Sequence, residues 1–165
     1  MMWIANRTRK PLSTDTRTLI NTTTIALCLA LAYSLFNHIL IPATHSVYPK
    51  VLYRSGEAAT TQNEYVKFFR RDSYLPEGEA WLVKRLGCVE GQYLLRNGNQ
   101  FFCDGHQIAQ AMQRDTSGNL LPHFSYSGVV PDGLAFAVGD TANSYDSRYW
   151  GFISMSDTEK LIPLI

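Results

Sequence analysis

The sequence predicts a mostly β, barrel-like domain preceded by one N-terminal transmembrane helix. Two patterns predict it. Residues 25–41 (IALCLALAYSLFNHILI) form one apolar stretch with no formal charge. From residue 51 onward, short runs rich in Val, Tyr, Phe and Trp alternate with Gly, Asn and Asp turns, as in small β-barrels.

The apolar stretch is apolar on every side, whereas a core helix of a soluble domain shows an amphipathic period. At helical rise it spans roughly 25 Å, and Thr22, Thr23 and Thr24 add about a turn toward the ~30 Å of a bilayer core. No convincing small-residue cleavage site follows, so an uncleaved anchor over residues 22–42 is expected rather than a removed signal. Before it, Arg7, Arg9, Lys10 and Arg17 stand against Asp15 alone. Positive residues stay cytoplasmic, so residues 1–21 read as a basic cytoplasmic tail and residues 43–165 as a domain facing outward. In a bacterium that is a single-pass inner-membrane protein with a periplasmic domain.

Within that domain, Pro49 holds the residues before it extended. Residues 51–53 read as a strand, 56–63 as a polar loop and 64–71 as a strand. Residues 80–86 (AWLVKRL) are β-rich. Asn97-Gly98 is a hairpin signal between 93–95 and 100–103, and Asp104-Gly105 a second turn before 107–109. Pro131-Asp132-Gly133 is expected to open a last hairpin into 134–138, and residues 149–155 (YWGFISM) to close the sheet.

Composition excludes several functions. The formal net charge of +1 over 165 residues gives no electrostatic case for nucleic acid. The three cysteines, Cys28, Cys88 and Cys103, make no CxxC pair, and the four histidines are scattered, so no metal or other cofactor is expected. Cys88 and Cys103 flank the Asn97-Gly98 hairpin. They suit either a disulfide in an oxidising compartment or two buried thiols.

Three stretches carry the chemistry: T-H-S-V-Y-P at 44–49, K-R-L-G-C-V-E-G-Q at 84–92, and G-D-T-A-N-S-Y-D-S-R-Y-W-G at 139–151. Together, in this order and after an anchor, they resemble the type I signal peptidases. There an S-x-x-P stretch carries a nucleophile, a K-R stretch carries a lysine base, and a G-D…S-x-D-S-R stretch supports the lysine. Val47 stands where methionine is usual and Gln92 where aspartate is usual. The Ser46-to-Lys84 spacing and the segments 115–122 and 144–149 are similar to the TraF-type conjugal transfer peptidases.

The resemblance implies the signal-peptidase catalytic β-domain (LexA/signal peptidase fold) and a serine endopeptidase with a Ser–Lys dyad. Ser46 is the implied nucleophile and Lys84 the general base. Thr44 is the implied oxyanion donor, Ser144 orients the lysine, and Asp146 with Arg148 forms a supporting ion pair. The implied substrate is a membrane-delivered prepilin, or more generally a secreted preprotein, which loses a leader or C-terminal peptide. In some members the substrate's own amine captures the acyl-enzyme and gives a cyclic pilin. Other conjugative transfer proteins are implied partners. Two alternatives stay open: a non-catalytic pilus-assembly factor on the same fold, and a general signal peptidase.

The residue types suit this chemistry. A serine hydroxyl needs a base within hydrogen-bond reach. Lysine serves only as the neutral amine, under about one part in a thousand at pH 7 unless burial depresses its pKa. Lys84 follows the apolar Trp81-Leu82-Val83, and Arg85 points to the opposite strand face. His45 adjoins Ser46 in sequence, which is not how a base is presented. Ser46 lies at most about 18 Å of extended chain beyond Ile41, so the expected nucleophile works near the membrane surface.

Overall fold

The computed structural model describes residues 13–165. Arg7, Arg9 and Lys10 of the basic tail lie outside the described residues. The chain divides into two units between His38 and Ile39.

The first unit is helix α1, Thr14–His38. Ser13 Oγ accepts the Thr16 amide at 3.3 Å, as an N-cap residue does, and Asp15 sits in the first turn, where the helix dipole favours an anion. The polar start is compatible with an apolar surrounding. Thr18, Thr22, Thr23 and Thr24 each turn their hydroxyls onto a main-chain carbonyl four residues back. No residue of α1 is buried, and at 25 residues it spans roughly 37 Å, long and apolar enough to cross a membrane.

The helix begins earlier and ends earlier than residues 22–42. Ile39 and Leu40 leave it to form strand β1, paired with Tyr53 and Leu52. Pro42 disfavours helical backbone just beyond, and the β-ladder supplies the hydrogen bonds that another helical turn would have made.

The second unit is antiparallel β. After β1 (Ile39–Leu40) come β2 (Leu52–Arg54), β3 (Tyr65–Arg71), β4 (Glu79–Val89), β5 (Tyr93–Asn97), β6 (Gln100–Cys103) and β7 (His106–Gln110). Then follow β8 (Gly128–Val129), β9 (Leu134–Val138), the short helix α2 (Ser147–Trp150), β10 (Ile153–Ser154) and β11 (Glu159–Pro163). One sheet has the order β1-β2-β11-β3-β4-β9-β10 and the other β7-β6-β5-β8.

Strand β9 joins the two cores because its side chains alternate. Ala135 and Ala137 pack with Val66, Phe68 and Leu86 on one side. Phe136 and Val138 pack with Leu94, Phe101 and Tyr149 on the other. Strand β4 is bulged between Leu86 and Cys88. Gly87 sits there because a Cβ would lie 3.0 Å from Val138 Cγ2 and 3.2 Å from Ile108 Cδ1. Just beyond, Cys88 and Cys103 form a disulfide that ties β4 to β6.

Two expectations are corrected, and one strand is new. The turn at 131–133 does not close a hairpin: β8 pairs with β5 in the small sheet and β9 with β4 in the large one, so the turn carries the chain between sheets. Residues 149–155 are not one strand, because Asp146 caps a helical turn over Ser147–Trp150 and only Ile153–Ser154 is extended. Finally, β11 fills the gap between β2 and β3, a pairing between distant segments that no local pattern announces.

Candidate active site

The site is built on β4. Throughout Glu79–Arg85 this strand pairs with β3, whereas its pairing with β9 begins only at Arg85. Among the described residues, the stretch 79–84 therefore keeps one edge without a partner strand. Alternation sends Lys84 and Arg85 to opposite faces. Lys84 lies across from Val66 and is 4% exposed, while Arg85 lies across from Tyr65.

Residues 44–48 reach the same place from the end of β1. Buried Val47 plugs the loop into the domain. The main chain is held by Asp140, whose N–H donates to the Ser46 carbonyl at 2.8 Å and whose Oδ2 accepts the Tyr48 N–H at 3.0 Å. Lys84 Nζ donates to Ser46 Oγ at 3.1 Å, and Thr44 Oγ1 donates to the same oxygen at 3.2 Å. Thus Thr44 and Lys84, far apart in sequence, converge on the Ser46 hydroxyl.

Burial pushes the Lys84 amine down to about 8. The nearby Asp146 and Asp140 carboxylates pull it back up, and the Arg148 guanidinium adds to the depression. At pH 7 about a tenth of such an amine is neutral, against well under a thousandth for a free lysine. This is an amine able to take a proton from the hydroxyl it touches.

The loop after β9 closes around these groups. Gly139 passes so near them that a Cβ would fall 2.1 Å from Ser144 Oγ and 2.7 Å from the Ser46 carbonyl oxygen. Asp146 and Arg148 lie beneath the loop as a buried ion pair, with Arg148 Nη2 2.6 Å from Asp146 Oδ2. Arg148 also donates to the carbonyls of Gln110, Ala142, Thr141 and Ser144, and Asp146 Oδ2 accepts the Gly139 N–H at 2.7 Å. A planar cation with five donors satisfies a bend whose carbonyls point inward.

Ser144 departs from its expected place. It is 4% exposed, its Oγ makes no hydrogen bond, and it packs against Gly139 rather than bonding the lysine.

The sequence profile of the family described as signal peptidase, peptidase S26, matches residues 16–161. The chain belongs to this family. It is 29% identical over 92 residues to the "Conjugal transfer protein TraF" of Agrobacterium fabrum (strain C58 / ATCC 33970), a match covering 54% of this chain and 51% of that protein. The match thus spans about half the length of that curated relative. A signal peptidase I from Enterococcus faecalis V583 superposes with a TM-score of 0.40 at 19% identity, covering 63% of this chain and 97% of that one.

In this S26-family chain, the Gln92 departure has a physical account. Gln92 Oε1 accepts the Val89 N–H at 2.9 Å, and its amide donates to Asp104 and Gln62. A carboxylate there would meet the Asp104 charge, whereas the amide both accepts and donates. The sequence reading assigned no role to three further residues beside the site. Asp140, Arg85 and Tyr65 form one network, with Arg85 Nε donating to Asp140 Oδ1 at 2.9 Å and the Tyr65 hydroxyl donating to Oδ2 at 2.8 Å. Asp140 was visible in the Gly-Asp motif. The other two depend on strand register, which the sequence does not display.

Proposed function

We propose that this chain is a membrane-anchored serine endopeptidase in which Ser46 is the nucleophile and Lys84 the general base. The observation that carries the reading is the 3.1 Å approach of a buried amine, its pKa lowered by that burial, to the Ser46 hydroxyl. Ser46 Oγ attacks the scissile carbonyl as its proton passes to Lys84 Nζ. The C–N bond then breaks, and the lysine returns that proton to the departing amine. The acyl-enzyme is released by water, or by a substrate amine if the product is cyclic. The Thr44 hydroxyl and the Ser46 N–H are the donors assigned to the oxyanion. The free edge of β4 beside Lys84 is where an extended substrate adds its main chain.

The substrate proposed is a membrane-delivered prepilin processed during conjugation. The relative named for conjugal transfer supports that choice. Helix α1 supports a single-pass anchor. The basic residues before it, together with the disulfide, support a catalytic unit on the oxidising, periplasmic side of a bacterial inner membrane.

The test is mass spectrometry of a candidate prepilin co-expressed with wild-type chain or with Ser46→Ala. Processing by the wild type alone supports the reading. Equal processing by both variants removes Ser46 from the chemistry. Pilus assembly that persists with Ser46→Ala and unprocessed pilin indicates an assembly factor. Equal cleavage of an ordinary secretory preprotein indicates a general signal peptidase.

A further inference from the structure

Tyr65 has no part in the reaction as described above, yet its hydroxyl ends on the group that holds the nucleophile loop. It opens β3 and stands directly across β4 from Arg85, so both side chains leave the same face of the ladder. Both reach Asp140, Tyr65 at Oδ2 (2.8 Å) and Arg85 at Oδ1 (2.9 Å). Oδ2 also accepts the Tyr48 N–H, while the Asp140 N–H holds the Ser46 carbonyl. Asp140 and residues 46–48 are therefore closed into a ring by two hydrogen bonds, one on each side of Val47.

The ring exists only while the carboxylate turns Oδ2 toward Tyr48. The torsion that sets this is soft in aspartate. Arg85 grips the other oxygen through Nε, and its Nη1 is committed to Asn63 Oδ1 at 2.7 Å. A hold on Oδ1 alone leaves the carboxylate free to swing about its Cβ–Cγ bond. The Tyr65 hydroxyl removes that freedom by fixing Oδ2. The Asp140 side chain is only 4% exposed, so water is poorly placed to replace a lost donor. The hydroxyl also keeps its proton. Burial, with Asp140 next, pushes the Tyr65 phenol up to about 12, far above any working pH.

We propose that Tyr65 is a positioning residue, acting through Asp140 to hold residues 46–48 so that Ser46 Oγ stays within reach of Lys84. The kinetic part of this inference rests on Ser46 being the nucleophile; the placement of the loop does not.

The experiment uses the full chain in nanodiscs, as wild type and as Tyr65→Phe, which keeps the ring and removes only the hydroxyl. Two readouts are taken: amide exchange by NMR at Tyr48 and Asp140, and the rate of Ser46 acylation by a penem as a function of pH. In Tyr65→Phe, exchange at those two amides speeds about tenfold, the scale of one hydrogen bond to a charged group. Exchange at Leu94 and Phe101 in the small sheet stays as in wild type. Acylation slows about tenfold with its pH midpoint close to that of wild type, because burial is the largest influence on Lys84 and the Asp140 charge, the smallest, is kept.

Wild-type exchange at Tyr48 and Asp140 in the variant overturns the proposal. So does a uniform rise across β3 and both sheets, which marks a general loss of stability. If the wild type is never acylated but the two amides still loosen selectively, loop placement by Tyr65 stands and the nucleophile assignment falls.

Discussion

Val66 on β3 lies directly across from Lys84 on β4, so the amine emerges on a face of the sheet where its partner residue is fully buried. This pairing explains how a lysine next to an arginine is buried and its amine pushed down to about 8. Period-two alternation sends Arg85 to Asp140 and Lys84 into the apolar side.

The pH behaviour of the reaction follows. If Lys84 is the base it must be neutral, so acylation of Ser46 is expected to rise with pH and to reach half its maximum near 8, the value to which burial lowers Lys84. A pH–rate profile checks this; a midpoint near the ordinary lysine value would show that the amine is solvated.

The same burial has a cost in stability. The Lys84 value falls from 10.5 unfolded to about 8 folded. Between those values the unfolded chain holds the proton and the folded chain does not, so stability rises with pH through this window. The penalty is fully present below about pH 8. Lys84→Met, close in shape and uncharged, is expected to abolish acylation while raising stability at pH 7 by on the order of 3 kcal/mol. Denaturant unfolding of both proteins measures it.

The Asp146–Arg148 pair is expected to resist substitution. Arg148→Ala leaves a buried carboxylate and several loop carbonyls without their donor, at a cost of about 3–5 kcal/mol. Arg148→Lys recovers only part of this, because an ammonium lacks the planar fork. Thermal melts and penem acylation decline together in both variants.

Gly139 separates two contacts that one substitution disturbs. In Gly139→Ala the new methyl meets Ser144 Oγ and the Ser46 carbonyl. Acylation is expected to fall at least about a hundredfold, as a displacement near 1 Å produces at a reacting centre. Adding Ser144→Gly removes one clash and leaves the main-chain one at 2.7 Å, so activity does not return. Recovery in the double variant would show that Ser144 alone sets the spacing.

Strong reductant is expected to lower the melting midpoint by the equivalent of about 3 kcal/mol, the scale of a disulfide closing a loop of this size. Cys88→Ala with Cys103→Ala should match the reduced wild type; an unchanged midpoint in both would show that the bond adds no stability.

Much of this architecture was legible in the sequence, and what was not has a common cause. The strands around Asn97-Gly98 and the strand carrying Lys84 follow from local alternation and turn chemistry. The motif residues Ser46, Lys84, Asp146 and Arg148 are named by the resemblance of their three stretches to the signal peptidases, without knowledge of distances. What escaped was set by long-range pairing. Strand β11 joins β2 to β3, Tyr65 faces Arg85 only because of register, and Ile39 leaves the apolar run to pair with Tyr53. The helical turn at Ser147–Trp150 was hidden because its aromatic residues favour strands, while the Asp146 cap decides locally for helix. Ser144 was expected on the lysine and instead packs on Gly139, a difference of close contacts that no sequence pattern encodes.

The central claim is most directly tested by intact-protein and peptide mass spectrometry after exposure to a penem at pH 8. Wild type is expected to gain one acyl adduct on Ser46, with none on Ser46→Ala and at most a trace on Lys84→Ala. An adduct on Lys84→Ala at the wild-type rate, or on another residue in the wild type, would contradict the dyad.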